Sequence, residues 1–251
     1  MTGLSARKSS VCDAVLAPGD GELHLWFHRQ QGFAGSESFQ REVLSRYAGI
    51  APADLEFTKG PNGKPALSHP HLPIAFNVSN CRDRQVLAVS DGCAVGVDLE
   101  YCDPRRDIER LARRYFSVGE LHQLRSCAGT RQLYRFYDYW TLKEAAIKAG
   151  GGSLGHELES TSFDLTDPAG SGDEVTPGCI TALTSAIESP AWFGLLQPFD
   201  DYRLAICCVA SQDFSAGVCR FDWPADTPKA PSIRLLAASG IDRKTAGFAS
   251  L

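Results

Sequence analysis

The alternation of apolar and polar positions in the first half of the chain predicts one helix followed by strands. Over residues 38–50, apolar side chains recur at helical spacing, and Gly49 then marks the end of the helix. Three apolar runs separated by turn residues follow at 74–78, 85–90 and 93–101, and their composition is typical of strands. The first half therefore predicts a helix together with a small sheet.

Helical spacing dominates the chain after residue 103. One helix is predicted over 107–114. Ser117, with Glu120 three residues later, has the pattern of a capping box and predicts the start of a second helix. The longest helical segment, over 133–149, ends at three consecutive glycines, which favour a firm stop.

Short apolar runs separated by polar turns make up most of the remaining chain and predict an antiparallel sheet. They lie at 162–165, 179–183, 191–196 and 203–210. From Trp223 onward three prolines interrupt the pattern, so we expect a loosely attached tail. The order of the elements predicts the α+β class with two lobes. The predicted divisions are an N-terminal lobe at 1–103, a C-terminal lobe at 104–222 and a tail at 223–251.

Composition narrows the classes of protein that these elements can form. Of 251 residues, 43% are hydrophobic and 22% are charged, so the chain can bury a substantial core. The formal net charge of −5 argues against a protein that coats nucleic acid. No apolar run approaches a membrane helix of about 18 residues, and no signal-peptide core is visible. We therefore expect a cytoplasmic protein.

The nine cysteines and six histidines do not show the spacing of a metal or disulfide framework. No C-x-x-C pair occurs, and no histidine stands at ligand spacing beside a cysteine. Without a signal peptide, a chain of this length is not expected to depend on disulfides. We therefore expect no zinc site, and we expect the cysteines to act as small apolar side chains.

The strand segment at 95–100, VGVDLE, carries two carboxylates on one face. Because side chains alternate along a strand, Asp98 and Glu100 lie roughly 7 Å apart on the same side, and Gly96 leaves room beside them. Such a pair can hold Mg²⁺, which prefers a few carboxylates together with water and phosphate oxygens. The same pattern fits two ordinary acids facing solvent, and the strand alone does not decide between these interpretations.

The long predicted helix presents a second candidate site. Trp140, Glu144 and Lys148 recur every fourth residue and form one stripe. Glu144 can complete a metal site while Lys148 contacts an anion held by the same metal, although a surface Glu–Lys pair is the more common meaning of this spacing. Lys64, in a glycine-rich turn, and Ser79 can both donate to a phosphate, although such turns are usually only structural.

Five motifs occur in one order along the chain: GKP, FNVSN, VGVDLE, RYFSVGE and WTLKEAAIKAGGGSL. In this order and at these distances they resemble the motifs of the Sfp-type 4'-phosphopantetheinyl transferases. The resemblance is close over residues 40–165 and continues more loosely to residue 210. The resemblance is specific because several independent motifs agree in order and spacing, whereas a match to any single motif could arise by chance.

Members of this family move the phosphopantetheine arm of coenzyme A onto a serine of an acyl, peptidyl or aryl carrier protein and release 3',5'-ADP. The resemblance therefore implies a magnesium-dependent transferase that acts on coenzyme A and an apo carrier protein in fatty-acid, polyketide or nonribosomal peptide biosynthesis. It also implies a monomeric α+β pseudodimer of two similar lobes, each a small antiparallel sheet packed with helices. Neither nucleic acid nor a membrane is an expected partner.

The resemblance also implies a role for each matching residue. The expected magnesium ligands are Asp98, Glu100 and Glu144. The expected nucleotide-site residues are Lys64, Pro65, Ser79, Asn80 and Lys148. Glu120 matches the residue proposed in some members to take the proton from the carrier serine, and Lys143 is expected to assist, with Lys148, at the diphosphate.

Two departures from the family pattern concern the nucleotide site. The family's histidine after the motif serine is Asn80 here, which brings no charge to the 3'-phosphate, and the next serine is Cys81. The arginine expected upstream of the helix at 38–50 has no clear counterpart. These departures keep open a carrier-binding relative with weakened catalysis. A magnesium-dependent phosphohydrolase that uses the same three acids is a further alternative, which has no sequence feature of its own.

Overall fold

The structure of the chain is a computed structural model, which describes residues 15–30, 36–152, 157–167, 178–185, 187, 189–209, 217–223 and 233–239. These residues form an α+β fold, as predicted. The helices are α1 (Ser36–Ala48), α2 (Ile108–Tyr115), α3 (Val118–Arg125) and α4 (Gly129–Gly150). The strands are β1 (Glu22–Arg29), β2 (Glu56–Lys59), β3 (Pro65–His69), β4 (Ala75–Cys81), β5 (Arg84–Ser90), β6 (Val95–Tyr101), β7 (Ser162–Leu165), β8 (Gly178–Thr184), β9 (Ala191–Gln197), β10 (Tyr202–Val209), β11 (Gly217–Trp223) and β12 (Arg234–Ala238). Within the ranges above, none of the helices has the length and apolar character that crossing a bilayer requires.

The predicted helices are confirmed, and their ends follow the chemistry of helix caps. Ser117 and Glu120 form the predicted capping box at the start of α3. Asp107 caps α2 by accepting a hydrogen bond from the amide of Arg110. Gly151 ends α4 at a φ of 70°, in the left-handed region that residues with a side chain rarely adopt.

A four-stranded sheet with the order β11-β1-β5-β4 forms one layer of the molecule. β1 pairs antiparallel with β5 on one side and parallel with β11 on the other. Val43 and Leu44 of α1 pack in one buried cluster with Leu87 of β5, so the helix predicted over 38–50 covers a face of this sheet. Removing these apolar side chains from water is the main term that holds the helix on the sheet.

A six-stranded sheet with the order β6-β10-β9-β12-β8-β7 forms the other layer, and α4 packs across β6 and β10. The close approach of helix and strand depends on Gly96, because a Cβ there would lie 2.0 Å from the carbonyl oxygen of Ala145 and 2.4 Å from the amide nitrogen of Ala149. The space that the sequence predicted beside Gly96 for a ligand is therefore filled by helix backbone.

Side chains of β4 join the two sheets to each other. Every second residue of β4 faces β6 and accepts a hydrogen bond from a backbone amide there. The pairs, at 2.9, 3.1 and 3.1 Å, are Asn77 Oδ1 with Val97 N, Ser79 Oγ with Leu99 N and Cys81 Sγ with Tyr101 N. β6 is an edge strand of its sheet, so the FNVSNC segment satisfies amides that would otherwise lack partners.

The C-terminal part of the chain differs from the prediction of a loose tail. β12 inserts between β9 and β8 and buries Ala237 and Ala238, so the prediction is wrong for residues 233–239. The sheets are also mixed rather than purely antiparallel, because β1 with β11 and β12 with β8 pair in parallel. By sheet membership, β6 belongs with the C-terminal strands and β11 with the N-terminal ones, which differs from the predicted division at residue 103.

Candidate metal and active site

Three carboxylates predicted from two distant segments lie together where β6 meets α4. Asp98 and Glu100 come from β6, and Glu144 comes from the helix that packs on this strand. One carboxylate oxygen of each residue lies within 4.8 Å of an oxygen of each of the others. The structure therefore brings the three predicted residues into one acidic cluster, although their role as metal ligands stays a prediction.

Asp98 is buried, with only 2% of its surface exposed, so the interpretation of an ordinary acid facing solvent is wrong for this residue. Its Oδ1 accepts hydrogen bonds from Lys148 Nζ at 2.6 Å and from Ser79 Oγ at 3.1 Å. Its Oδ2 accepts no hydrogen bond from an amide, hydroxyl or ammonium group of the described residues, and the Glu144 carboxyl, when protonated, is the neighbour that can donate to Asp98. Because a buried carboxylate oxygen without such a donor costs free energy, this atom fits the position of a cation ligand.

Burial and mutual repulsion shape the ionisation of the acidic cluster. Burial, reinforced by the charge of Asp98, raises the pKa of Glu144 to about 8. The pKa of Glu100 is raised for the same two reasons. Burial alone would lower the pKa of Lys148, but Asp98 and Glu144 outweigh burial and raise it. The three acidic groups thus repel one another more than Lys148 offsets, and a divalent cation that replaces the proton of Glu144 would relieve this repulsion.

Glu100 forms part of the wall of an open cavity of about 570 Å³. Arg106 Nη1 lies 3.6 Å from Glu100 Oε2. Arg82 and Arg105 line the same cavity, where both pair with Asp103. Three guanidinium groups beside an acidic cluster favour an anionic ligand. Sequence reasoning missed these arginines because a charged turn is usually only solvated, and the only available signal was that Arg105 and Arg106 closely follow the strand with the acids.

Lys64 lies at the C-terminal end of α4, and its ammonium bonds to backbone. Nζ donates to the carbonyl oxygens of Lys148 at 2.7 Å, Val95 at 3.0 Å and Ala149 at 3.3 Å. Burial lowers the pKa of Lys64, whereas the negative end of the helix dipole favours the charged form. Pro65, the next residue, begins β3. Lys64 therefore caps the helix that carries Glu144 and Lys148.

Ser79 and Asn80 lie on opposite faces of β4, because successive side chains of a strand alternate. The Ser79 hydroxyl donates to Asp98 Oδ1 and accepts from Leu99 N and from Lys148 Nζ at 3.3 Å, so its hydrogen-bonding capacity is filled. The side chain of Asn80 is exposed. The structure thus brings Ser79, but not Asn80, to the acidic cluster.

Glu120 and Lys143 form a fully buried ion pair between α3 and α4, with Oε2 and Nζ 3.0 Å apart. Glu120 also accepts hydrogen bonds from the amides of Ser117 at 2.7 Å and Phe163 at 3.0 Å. Lys143 donates to two backbone carbonyls, and burial lowers its pKa, an effect that Glu120 opposes. Within the described part of the chain, none of these contacts reaches the acidic cluster.

In this α+β fold, three carboxylates and a lysine lie together, and one buried oxygen of the cluster lacks an amide, hydroxyl or ammonium donor among its described neighbours. The cluster is a candidate site for a divalent cation, and it lies next to a cavity lined by arginines. A model of the 4'-phosphopantetheinyl transferase superfamily matches residues 94–207, which include both elements of the acidic cluster.

Three relatives extend this match. The chain is 33% identical to the 4'-phosphopantetheinyl transferase HetI of Nostoc sp., over 73% of this chain and 72% of HetI. It is 40% identical to the 4'-phosphopantetheinyl transferase AcpT of Escherichia coli (strain K12), over 59% of this chain and 71% of AcpT. It is 30% identical to the 4'-phosphopantetheinyl transferase Sfp of Bacillus subtilis (strain 168), over 69% of this chain and 71% of Sfp. The chain therefore belongs to the 4'-phosphopantetheinyl transferase superfamily, and the family expected from the motifs is confirmed.

Proposed function

We propose that this protein transfers the 4'-phosphopantetheine arm of coenzyme A to a serine of an apo carrier protein and releases 3',5'-ADP. Membership of the superfamily supports the class of reaction. The observation that carries the proposal is the buried Oδ2 of Asp98, which has no amide, hydroxyl or ammonium donor among the described residues, within a cluster of three carboxylates. Transfer from a diphosphate develops negative charge that a divalent cation neutralises, and this cluster has the oxygen ligands for such an ion.

The proposed metal is Mg²⁺, and its proposed ligands are Asp98, Glu100 and Glu144, because Mg²⁺ prefers a few carboxylates and phosphate oxygens. When bound, the ion would supply charge neutralisation at the diphosphate of coenzyme A. Lys148 and Ser79 hold Asp98 through Oδ1, which fixes this carboxylate. Lys148 also places a positive charge beside the proposed metal site.

In the proposed reaction, the oxygen of the carrier serine forms a bond to the phosphorus next to pantetheine. The bond from that phosphorus to the oxygen of 3',5'-ADP breaks, and the serine proton passes to a base or to solvent. Little covalent chemistry falls to the protein, so positioning and electrostatics supply the rate. The cavity lined by Arg82, Arg105 and Arg106 offers positive charge next to Glu100 for an anionic part of the substrates.

The family resemblance assigns nucleotide contacts to Lys64, Pro65, Ser79 and Asn80. Because the Ser79 hydroxyl is already fully hydrogen-bonded, we propose that it orients Asp98 instead. Because the Lys64 ammonium bonds to carbonyls at the end of α4, we infer that the turn before β3 contributes its shape rather than a free charge. Asn80 offers an exposed amide donor where the family has a histidine.

The family resemblance assigns proton transfer to Glu120 and assistance at the diphosphate to Lys143. Their complete burial and internal pairing support a positioning role instead. A general base must come within hydrogen-bond reach of the proton that it takes. We propose that this ion pair holds α3 against α4 and thereby fixes the helix that carries Glu144.

We also propose a monomeric cytoplasmic enzyme, built as a pseudodimer, that serves a carrier protein of fatty-acid, polyketide or nonribosomal peptide synthesis. Support for a monomer comes from the acidic cluster, since one chain supplies all three carboxylates.

The test mixes the protein with Mg²⁺, coenzyme A and an apo carrier protein and measures the mass of the carrier. We expect the mass of the carrier to increase by one phosphopantetheine arm. We expect no increase when a chelator removes the metal or when the Asp98→Asn variant is used in place of the natural protein. Asp91→Asn, at an exposed acid in the turn between β5 and β6, is the matched control and should retain activity.

The other outcomes separate the alternatives. Binding of the carrier without a gain in mass would support a carrier-binding relative with weakened catalysis. Release of phosphate or nucleotide from coenzyme A without any carrier would indicate a phosphohydrolase. Rates measured on a panel of apo acyl, peptidyl and aryl carriers would then identify the preferred partner.

A further inference from the structure

A second group of metal-binding side chains lies on the four-stranded sheet, outside residues 94–207 that match the superfamily. The parallel pairing of β1 and β11 places His24 directly opposite Cys219. Glu22 lies two residues before His24, so alternation along β1 puts both side chains on one face. One ligand atom from each of the three residues lies within 4.8 Å of the others, and Glu22 Oε2 is 3.5 Å from His24 Nε2.

The surroundings of this group suit a metal better than a packed core. His24 and Cys219 are buried, whereas the Glu22 side chain is 44% exposed, which leaves a path from solvent. Cys219 forms no disulfide, and its thiol makes no hydrogen bond within the described ranges. The ligand atoms on this face are thus a nitrogen, a sulfur and an oxygen. The oxygen, Glu22 Oε2, also accepts a hydrogen bond from the amide of Gly19 at 2.7 Å.

A hydrogen bond from the surrounding core orients the imidazole. His24 Nδ1 lies 2.7 Å from the hydroxyl oxygen of Tyr47, and the tautomer of the ring decides which of the two donates. The same hydroxyl accepts a hydrogen bond from Trp26 Nε1 at 2.7 Å. Nδ1 is therefore engaged, and Nε2 is the nitrogen that faces Glu22. Metal-binding histidines characteristically use their second nitrogen in this way, to fix the ring and its tautomer. Burial lowers the pKa of His24, which keeps the imidazole neutral, the form that binds a metal.

We propose that Glu22, His24 and Cys219 bind one Zn²⁺, with a fourth position open to solvent. Zinc accepts carboxylate, imidazole and thiolate ligands in a tetrahedral arrangement, whereas magnesium disfavours sulfur and nitrogen. Zinc–ligand bonds are about 2.0–2.3 Å long, so small side-chain rotations would bring the three atoms onto one ion. Binding would form bonds from zinc to the thiolate sulfur, to Nε2 and to the carboxylate, and would release the thiol proton to solvent. The ring proton would then be on Nδ1, where it can be donated to the Tyr47 hydroxyl oxygen.

The zinc ion would tie the edge strand β11 to β1. β11 comes from the C-terminal part of the chain but belongs to the sheet of β1. A metal that links the two strands would therefore close a long loop and stabilise the folded state. The expectation of no zinc site rested on local spacing, and these ligands meet only through the pairing of two strands far apart in sequence.

The test adds Co²⁺ to the full chain after treatment with a chelator, because a cysteine thiolate bound to Co²⁺ gives a charge-transfer band in the near ultraviolet. We expect this band to reach its limit at one ion per chain and to disappear in Cys219→Ser. Cys179→Ser, which removes an exposed thiol, and Asp98→Asn, which alters the oxygen-only cluster, should both keep the band. Zn²⁺ alone should displace the Co²⁺ and abolish the band.

The variant Glu22→Gln tests the site in a protein that still folds, because the Glu22 carboxylate is partly exposed and its replacement leaves β1 packed. It should weaken Co²⁺ binding by more than about tenfold, in the range seen when metal sites are perturbed, with an unchanged circular dichroism spectrum. The proposal is overturned if the natural protein shows no thiolate band, if the band persists in Cys219→Ser, or if Glu22→Gln binds Co²⁺ as tightly as the natural protein.

Discussion

Glu144 illustrates how a single buried residue governs when a cation binds. Burial and the charge of Asp98 act in the same direction and raise the pKa of Glu144 to about 8. At neutral pH the metal-free protein therefore holds a proton on this carboxyl group. A cation must displace that proton, because only the carboxylate is a ligand.

We therefore expect the affinity for Mg²⁺ to rise by up to about tenfold per pH unit between about pH 6 and about pH 8, and to level off above that range. Calorimetric titrations in buffers of different ionisation enthalpy measure both the affinity and the released proton. Glu144→Gln should bind Mg²⁺ more weakly and lose this pH dependence, whereas Asp91→Asn should follow the natural protein. An affinity that stays constant over the range would show that Glu144 is already ionised.

The buried pair of Glu120 and Lys143 makes a prediction about stability. Glu120→Gln should destabilise the fold by about 3–5 kcal/mol, because it leaves the Lys143 ammonium buried without a charged partner. Adding Lys143→Met should recover part of the lost stability. Urea unfolding of the two single variants and of the double variant would give the coupling free energy between the two residues.

Activity separates a positioning role of Glu120 from a catalytic one. If Glu120 only positions α3 on α4, kcat per folded molecule and the pH profile should change little under conditions where the variant stays folded. A loss of about 10²–10⁴-fold in kcat with the fold intact, together with loss of a limb of the pH profile, would instead identify Glu120 as the base.

The residues of the acidic cluster could be predicted because two local rules place them on definite faces. Alternation along a strand groups Asp98 with Glu100, and the four-residue spacing of a helix groups Glu144 with Lys148. Local rules do not show which atoms are already bonded. The ammonium of Lys64 bonds to backbone carbonyls of distant segments, and those carbonyls carry no sequence signal.

At the scale of elements, the site depends on the contact between β6 and α4, which carry its two halves. Gly96→Ala should cost about 1–3 kcal/mol, since the new Cβ overlaps the backbone of α4, and it should weaken Mg²⁺ binding by moving Glu144 away from Asp98. Gly119→Ala is the matched control, because its added Cβ meets no heavy atom closer than 4.0 Å and it lies in exposed helix. The control should be neutral or stabilise by up to about 1 kcal/mol. Equal stabilities of the two variants would refute the packing argument.

Lys64 links the turn before β3 to the end of α4, so its loss should appear first in stability. Lys64→Met should destabilise the protein by about 1.5–3 kcal/mol, because carbonyls that accept charge-assisted hydrogen bonds lose their donor. Lys59→Met, at an exposed position on β2, should change stability little. Thermal unfolding measures the difference. A higher KM for coenzyme A with unchanged stability would mean that the ammonium serves the nucleotide directly.

Most elements could be predicted, whereas β1, β2, β3, β11 and β12 were not. The helices and β4 to β10 show regular spacing bounded by turn residues. β1 was missed although Glu22, His24 and His28 alternate with apolar residues along it, because both of its faces are buried in the middle of the strand. β12 is short and follows a proline-rich segment, and only its partners β9 and β8 make it a strand.

At the scale of the whole molecule, the two sheets are joined by more than apolar packing. The α+β class follows from the order of the elements, but the mixed sheets do not, because β1 pairs with β11 and β6 pairs with β10 across long stretches of chain. Side chains of β4 accept hydrogen bonds from the backbone amides of β6, the edge strand of the other sheet. The acidic cluster lies at this junction, since Ser79 of one sheet bonds to Asp98 of the other.

A cation bound at this junction should therefore stabilise the molecule as one unit. At a Mg²⁺ concentration of about 100 times the dissociation constant, mass action gives about 2.7 kcal/mol, which corresponds to a rise of roughly 5–10 °C in Tm for a protein of this size. Scanning calorimetry should show one transition that moves without splitting. Asp98→Asn should lose the shift, and Asp91→Asn should keep it. Two transitions, of which Mg²⁺ moves only one, would mean that the hydrogen bonds between β4 and β6 do not couple the sheets, because the sheet that holds the ion would then unfold independently of the other.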